Sequence, residues 1–550
     1  MKKKMVGLLV IAALAMSLAA GCGSSGMEVQ ESTGSASEAS ESVGESSAEA
    51  ESTDEEAAAI KDEMHIAIAS APPTLDTMMG TEYMPRVIAY GNVYEALVTL
   101  TEDFNWKPEL AEEVVINENY TEYTYKLRQG VMFHNGEEMT ADDVVASMNR
   151  WIEKYGNAGN MVGDSRFEKV DDYTVKIELE QPTLFLNELI ATQSQGSVIM
   201  PASVIENTDA SSGAVSEYIG TGPYKFEEWV DDQYIKLSRF EGYEPYAEKG
   251  ERDGWWGYKS APTETIYYDF VTDSATRTAG IQTGEYDVAY ELPTENYELF
   301  TGNDDFKIFK EVSGAFVVVY NKKSGLTQDP LIRLAVNAVL NPEEVLLGAY
   351  SSEEFYRVET SYMGSEMTNW YSTEGADNAH LVDTEKAKSY LEEAGYDGTT
   401  FRILVPSENV FFCNAAVVVQ QELESIGMSV EIVMADSSSY SSYRNDETKY
   451  DIFFSNALPV SVPTLQIFLS PSWAGFTSDQ AIFDGCDAIN SSTSIEEAKG
   501  KWDSLQKYCW EESLPVTKLG SVFNYTVTTD AVNDFEYFNG PVVVNTTVSE

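Results

Sequence analysis

The sequence predicts an α/β fold built from two lobes. Alternating apolar residues indicate half-buried strands, segments of helical period lie between them, and one strand–helix–strand order is typical of a parallel pair. The globular part is about 490 residues long, more than a single hydrophobic core normally sustains. We therefore expect two packed cores of mixed α and β structure.

The chain begins with a segment, residues 1–21, that resembles a bacterial lipoprotein signal peptide. Three lysines precede the apolar stretch 5–20, which is too short to span a bilayer comfortably, and small residues then lead to Cys22. LAAGC is similar to a lipobox, although Ala19 stands where leucine is usual. We expect lipidation of Cys22, since two or more acyl chains hold a protein stably at a membrane. The alternative is an ordinary cleaved signal with an incidental cysteine.

Residues 22–61 are predicted to form a disordered acidic tether. They are rich in Ser, Glu, Ala and Gly and have almost no large apolar residues, so they cannot bury enough surface to fold. A flexible coil of this length spans on the order of 35 Å, and more with self-repelling charge. Its position directly after Cys22 suits a flexible tether between a membrane and a globular body.

The first elements of the globular body follow the tether. Apolar residues alternate in EYTYKLRQ and again in YTVKIELE, which predicts two half-buried antiparallel strands. Between them, TADDVVASMNRWIEKYG predicts a helix that opens with a capping box of Thr140 and Asp143 and stops near Gly156. His134 and Gly136 belong to a predicted tight turn, so we interpret His134 as structural.

The carboxyl-terminal half shows two further patterns. Asp329-Pro330 and Asn341-Pro342 each place a capping residue before a proline, which predicts two consecutive helices. The segments TTFRILVP, NAAVVVQQELESIG and MSVEIVMAD predict strand, helix and strand, with Gly427 ending the helix. This order is a βαβ unit with a parallel pair of strands.

Composition excludes several functional classes. With 35 basic and 91 acidic residues the net charge is −56, which argues against nucleic acid as a partner. Cys413, Cys486 and Cys509 follow no metal-ligand spacing, and one disulfide or free thiols both remain open. GxSxG, HExxH, P-loop and dinucleotide motifs are absent, so we expect no catalysis, cofactor or metal site.

Several stretches, in order, resemble family 5 extracellular solute-binding proteins. They are PPTLDT with NVYEALVTL and KPELAEEV; YTYKLRQGVMFHNGEEMTADDVV; IGTGPYKFEEW; and IQTGEYDVA with PLIRLAVNAVLNPEEV and TEKAKSYLEEAGYDG. The resemblance implies a periplasmic-binding-protein-like fold of the cluster C type, whose two lobes close on a solute by a hinge. It assigns residues 62–272, with an inserted subdomain, to the first lobe and 273–515 to the second, and residues 516–550 return to the first.

The resemblance also implies a function. The protein would capture an oligopeptide- or dipeptide-like solute and deliver it to an ABC permease with ATPase subunits. It is expected to be a monomer at the outer face of the cytoplasmic membrane, or on the periplasmic side in a Gram-negative cell, anchored in the bilayer through Cys22. The alternatives are an oligosaccharide receptor and a nickel or metal-chelate receptor of the same fold.

The ligand-binding residues are harder to predict. Peptide receptors of this family often meet the ligand's ammonium group with an aspartate in Gly-Trp-x-x-Asp-Tyr-x-x-Pro, because a buried unpaired cation is costly. Here Ala457 and Val460 stand where the tryptophan and the aspartate would be, so either another carboxylate substitutes or the ligand lacks a buried ammonium. Position alone suggests Thr77, Met79, Gly80, Thr81, Trp370, Tyr371, Phe411, Phe412 and Asn456 as ligand-binding residues, with ordinary core packing as the alternative for each.

Overall fold

An eleven-stranded mixed sheet runs through the part of the chain that this computed structural model describes, residues 59–79, 83–209 and 211–550. Cys22, the tether up to residue 58, Gly80 and Thr81 lie outside the described residues. The strands of the described part are, in chain order, β1 (Glu63–Ile68), β2 (Val98–Leu100), β3 (Trp106–Pro108), β4 (Ala111–Ile116), β5 (Glu122–Leu127), β6 (Phe167–Asp171), β7 (Thr174–Glu178), β8 (Tyr224–Val230), β9 (Tyr234–Arg239), β10 (Arg252–Asp253), β11 (Trp256–Gly257), β12 (Thr265–Phe270), β13 (Val288–Ala289), β14 (Phe306–Tyr320), β15 (Tyr356–Val358), β16 (Phe401–Pro406), β17 (Val430–Ala435), β18 (Ile452–Ala457), β19 (Val516–Thr529), β20 (Val532–Asn533), β21 (Glu536–Tyr537), β22 (Pro541–Val542) and β23 (Thr547–Val548).

Helices cover the sheet and fill its connections. They are, in the described residues, α1 (Met84–Ala89), α2 (Ala141–Lys154), α3 (Gly156–Val162), α4 (Leu186–Ala191), α5 (Ala202–Glu206), α6 (Ser274–Thr283), α7 (Pro330–Val339), α8 (Pro342–Tyr350), α9 (Thr384–Glu393), α10 (Val410–Ser425), α11 (Ser437–Arg444), α12 (Gln480–Asn490) and α13 (Ile495–Tyr508). No described helix is long and apolar enough to cross a membrane.

The order of the large sheet is β17-β16-β18-β14-β19-β13-β1-β12-β9-β8, with β15 paired to β19. Its two longest strands, β14 and β19, pair antiparallel from Phe306↔Thr529 to Val319↔Val516. One end of this pair borders β13 and the other end borders β18. β14 and β19 therefore join the β1 side of the sheet to the β18 side.

A second, four-stranded antiparallel sheet has the order β4-β5-β7-β6 and includes both strands predicted from alternating residues. Helix α2 follows β5 and begins at the predicted capping box of Thr140 and Asp143. Its buried side chains include Val144, Met148 and Trp151, which recur at helical spacing. The helix and its cap are thus confirmed.

The predicted βαβ unit is confirmed as β16, α10 and β17, whose strands pair in parallel from Phe401↔Val430 to Pro406↔Ala435. The predicted helices at Asp329-Pro330 and Asn341-Pro342 are α7 and α8. Asp329 caps α7 by accepting a hydrogen bond from the Leu331 amide, whereas the Asn341 side chain instead donates to Glu344. Both helices still begin at the proline.

His134 lies in a tight turn, as the sequence predicts. Gly136 has φ 84°, as the predicted turn requires, and a His134 ring nitrogen lies 2.9 Å from the Gly222 carbonyl oxygen. Burial lowers the pKa of His134 to about 4.

Cys413, Cys486 and Cys509 are free thiols. Among the residues described, no group of three or more metal-ligating side chains comes together.

Candidate functional site

Two adjoining cavities lie where β14 and β19 join the two sides of the sheet. The smaller, of about 300 Å³, and the larger, of about 660 Å³, share Ser194, Asn456 and Leu458 in their walls. We call the combined space the cleft cavity. Its volume falls in the range of small-molecule binding sites.

A β-bulge in β14 forms part of the wall. The register with β19 shifts between Val312 and Gly314, and three consecutive residues, Glu311, Val312 and Ser313, line the smaller cavity. Gly314 has φ 150°, and a Cβ there would lie 2.7 Å from the Ala457 carbonyl oxygen. Only glycine allows β14 and β18 to approach this closely.

Two glutamates give the smaller cavity an acidic wall. The Gly540 amide donates to Glu311 over 3.3 Å, and the Asn524 side chain donates to Glu291 over 2.8 Å. No lysine or arginine nitrogen of the described residues lies within 4.0 Å of either carboxylate. Burial raises the pKa of Glu311 to about 8 and also raises the pKa of Glu291.

Three tyrosines stand beside these carboxylates. Tyr83 and Tyr537 line the smaller cavity, and the Tyr290 ring stacks on Tyr537 with 6.2 Å between centroids. Burial raises the pKa of all three well above 10, so their hydroxyls stay protonated. Tyr290 is only 2% exposed, and its hydroxyl interacts with Tyr83, Glu291 and Tyr537.

The larger cavity has a basic wall. Arg444 and Lys154 both line it. The Arg444 guanidinium lies over the rings of Tyr440 and Phe453, 5.4 and 5.7 Å from their centroids, and its buried Nε has no hydrogen-bond partner. Lys154 has one weak ion pair, 3.4 Å long, with the exposed Glu153. The cleft cavity is therefore acidic at the β14 bulge and basic at its other end.

A buried ion pair holds the loop that carries Met78 and Met79 into the wall. Asp76 accepts two hydrogen bonds from Arg150, of 2.6 and 3.1 Å, and a third from the Val215 amide over 3.0 Å. The two side chains are 0% and 5% exposed. This loop follows β1.

The two sides of the cleft touch each other beyond the cavity. The Thr192 and Ser461 hydroxyls are 2.7 Å apart, and the Leu184 amide donates to the Asn490 carbonyl over 2.9 Å. The rings of Phe185 and Trp370 meet edge to face at 5.4 Å. These contacts hold the two sides of the cleft together.

The sequence-predicted site residues occupy different places. Met79 and Asn456 line the cleft cavity. Thr77 is buried and its hydroxyl donates to the Gly196 carbonyl. Trp370 packs at the contact between the two sides, and Tyr371 is 37% exposed. Phe411 packs against Tyr350 in the aromatic core. Phe412 packs there against Phe316.

The carboxylates of the cavity were missed by sequence reasoning. In the sequence, nothing sets Glu291 and Glu311 apart from the many other acidic residues. They meet Asn524 only because β19 pairs with β14 in the fold. One local signal existed: the apolar stretch around Gly314 in FKIFKEVSGAFVVVY is interrupted by glycine, which is typical of a bulge.

Comparisons with known proteins agree with this architecture. A family model described as bacterial extracellular solute-binding proteins, family 5 middle, matches residues 105–479. The probable peptide ABC transporter periplasmic-binding protein y4tO of Sinorhizobium fredii is 27% identical over 463 residues, covering 78% of this chain and 83% of the relative.

Two solved structures share the fold. AgaA of A. tumefaciens R10, in complex with agropinic acid, matches with a TM-score of 0.74 and 22% identity over 89% of this chain and 99% of that one. The oligopeptide-binding protein AppA of Bacillus subtilis, in complex with a nonapeptide, matches with a TM-score of 0.73 and 20% identity over 90% and 100%. The predicted two-lobe α/β fold is thereby confirmed.

Proposed function

Because the chain belongs to family 5 of the bacterial extracellular solute-binding proteins, we propose that it captures a small peptide in the cleft cavity. The β1 side and the β18 side of the sheet are the two lobes of the fold, and β14 and β19 cross between them. A ligand that contacts both lobes at once favours the closed arrangement. The loaded protein then presents the peptide to a membrane permease that works with ATPase subunits.

The observation that carries the peptide assignment is an open strand edge in the cavity wall. β16 pairs with β18 only at Ile452 and Phe453, while β18 continues to Ala457. Beyond Phe453 no described strand covers that edge, and Ser455 and Asn456 line the cavity there. An extended peptide is recognised by main-chain hydrogen bonds at such an edge, which leaves its side chains loosely selected.

Two relatives support the same ligand class. The relative from Sinorhizobium fredii is named a peptide transporter component, and the AppA structure contains a nonapeptide. Oligosaccharides and nickel chelates are the competing ligands. We propose no catalytic role, and turnover of peptides or glycosides by the purified protein would contradict that.

The anchor and the lobe limits complete the proposal. Residues 1–21 are proposed to direct export, lipid on Cys22 to hold the protein at the outer face of the cytoplasmic membrane, and residues 22–61 to tether the body. We place the first lobe at 62–272, the second at 273–515 and the return at 516–550. The proposed working form is a monomer.

The test is to identify what the protein binds. The full chain is purified from cells without refolding, in detergent if it is membrane-bound, and native mass spectrometry looks for retained ligand. Thermal unfolding is then followed with pools of di- to pentapeptides, oligosaccharides and nickel–histidine. A ligand at a thousand times its dissociation constant adds about 4 kcal/mol of stability. A protein that ignores peptides but responds to sugars or nickel–histidine would overturn the peptide assignment.

A further inference from the structure

A third, very small cavity lies within the contact between the two sides of the cleft, apart from the cleft cavity. The first side contributes Glu188 and the loop 103–105 to its walls, and the second side contributes residues that include Trp370, Ser461 and Ile495. Its volume of about 10 Å³ is the least that a single water molecule needs. The two sides therefore meet here with almost no solvent between them.

Glu188 of α4 takes part in this contact with both its main chain and its side chain. Its carbonyl oxygen accepts a hydrogen bond of 3.3 Å from the Ser461 hydroxyl of the opposite side. Its carboxylate lines the small cavity, where the Oε2 atom is buried and has no protein hydrogen-bond donor within reach. An ionised carboxylate in such a place is costly, whereas the protonated form costs much less.

The ionisable groups nearest to Glu188 give it no counter-charge. Asp103, the other ionisable residue in the cavity wall, is exposed and accepts a hydrogen bond from the Thr101 hydroxyl, which lowers its pKa. Tyr123 and Tyr125 of β5 interact with Glu188, and burial raises their pKa values so far that both stay neutral. The second side adds no ionisable side chain to the wall.

The cations of the neighbouring elements belong to other ion pairs. These pairs, with nitrogen–oxygen distances of 2.7 to 2.8 Å, are Lys107–Asp253, Arg357–Glu366 and Lys501–Glu497. No lysine, arginine or histidine nitrogen of the described residues lies within 4.0 Å of the Glu188 carboxylate. Burial therefore dominates, and it raises the pKa of Glu188 to about 8.

We propose that Glu188 is a proton-sensitive latch, which holds the two sides of the cleft together while it is protonated and favours their separation once it ionises. Separation exposes the carboxyl to water, where it titrates near its ordinary value of 4.5. Between the two values the closed form keeps the proton that the open form releases, so closure takes up a proton. Rising pH therefore favours opening, whichever ligand the cleft binds.

The Leu184 amide reports on this opening directly. It donates to the Asn490 carbonyl across the contact, over 2.9 Å, so its hydrogen exchanges with solvent when the two sides part. The Leu179 amide, which donates to the Thr121 carbonyl over 2.8 Å within the first side, is the control. Exchange in the ligand-free full chain is measured by mass spectrometry at pH 6, 7 and 8, and each rate is divided by the intrinsic rate at that pH.

The size of the effect follows from the two pKa values of Glu188. A carboxyl that titrates at 4.5 in the open form and at about 8 in the closed form shifts the equilibrium by at most about 50-fold between pH 6 and pH 8. Glu188 retains some solvent exposure, which reduces this limit. We expect the protection of Leu184 to fall about tenfold over this range, and that of Leu179 to change by less than about twofold.

Variants assign the effect to the carboxyl. Glu188→Gln should reduce the change in Leu184 protection to within about twofold, and Glu188→Asp, which retains a carboxyl, should preserve part of it. Ser461→Ala removes a hydrogen bond of the contact, so it should lower the protection at every pH and leave the pH dependence intact. Glu206→Gln changes an exposed glutamate of α5 and should behave like the wild type.

The wild-type profile alone can overturn this inference. Protection of Leu184 that is absent at pH 6, or that does not fall by pH 8, contradicts a latch of this kind. A fall that persists in Glu188→Gln, with circular dichroism like that of the wild type, contradicts the assignment to Glu188. The measurement contains no ligand, so these results leave the proposed peptide function untouched, and a failure to bind peptides leaves the latch standing.

Discussion

Replacement of Glu311 by glutamine should stabilise the ligand-free protein, and the gain should grow as the pH rises. Burial raises the pKa of Glu311 from 4.5 to about 8. Between these values the unfolded chain releases the proton while the folded chain keeps it, so folding becomes less favourable as the pH increases. The penalty is absent well below pH 4.5 and complete above pH 8.

The size of the expected change in unfolding free energy follows from the same pKa shift of Glu311. Each pH unit corresponds to about 1.4 kcal/mol, so a rise from 4.5 to about 8 sets an upper limit of about 5 kcal/mol. Glu311 is half-buried at an open cavity, and solvent screening reduces this figure. We expect a difference of about 2 kcal/mol between pH 5 and pH 8.

The groups around Glu311 decide whether this reasoning holds. Glu291 faces it and raises its pKa further, whereas the amides of Asn539 and Gly540 lower it. The hydroxyls of Tyr83 and Tyr537 face it as well, and their raised pKa values keep them neutral throughout this range. Glu311, whose pKa burial raises to about 8, is therefore the group of this cluster on which the prediction rests.

The assay is urea unfolding of ligand-free protein at pH 5, 6.5 and 8. Wild type, Glu311→Gln and the control Glu298→Gln are compared, because Glu298 is exposed and offers the same change of charge. The wild type should lose stability relative to Glu311→Gln across this range. A difference that stays constant with pH, or one that Glu298→Gln reproduces, would refute the argument from burial.

Three further predictions concern other parts of the molecule. Asp76→Asn leaves Arg150 buried without its partner and should lower the free energy of unfolding by about 3–5 kcal/mol in urea titrations; a loss below about 1 kcal/mol would contradict this. Gly314→Ala should lower the melting temperature and weaken ligand binding in calorimetry, since the new Cβ meets the Ala457 carbonyl. Gly500→Ala, where nothing lies near the added Cβ, is its control. Cys22→Ser should move the protein from the membrane fraction to the medium or periplasm, and membrane retention of a processed variant would rule out the lipid anchor.

Local signals were enough to predict much of the fold. The capping box of α2 and the βαβ unit depend on residues a few positions apart, and both appear at the expected places. The family resemblance then supplied the lobes, which no local pattern specifies. The crossing pair β14 and β19 brings together residues about two hundred positions apart, and only the folded structure reveals such pairings.

The candidate site was predicted less well for the same physical reason. Met79, in the loop after β1, and Asn456, near the end of β18, both line the cavity. Trp370 and Phe412 are apolar residues that the structure uses for packing. The absence of an aspartate at Val460 raised the question of another carboxylate, and that interpretation stays a prediction. The two carboxylates of the cavity come from the connection after β13 and from the bulge of β14.

These carboxylates also link ligand capture to closure of the lobes. In an empty closed cleft, Glu311 must hold a proton or leave two like charges, its own and that of Glu291, beside each other in poor contact with water. Either state costs free energy, and a cationic group placed beside the two carboxylates would remove that cost. A ligand that contacts both sides of the cleft would favour the closed form, in which Thr192 meets Ser461. A receptor built in this way closes most favourably when a ligand is bound. An importer can then distinguish the loaded receptor from the empty one.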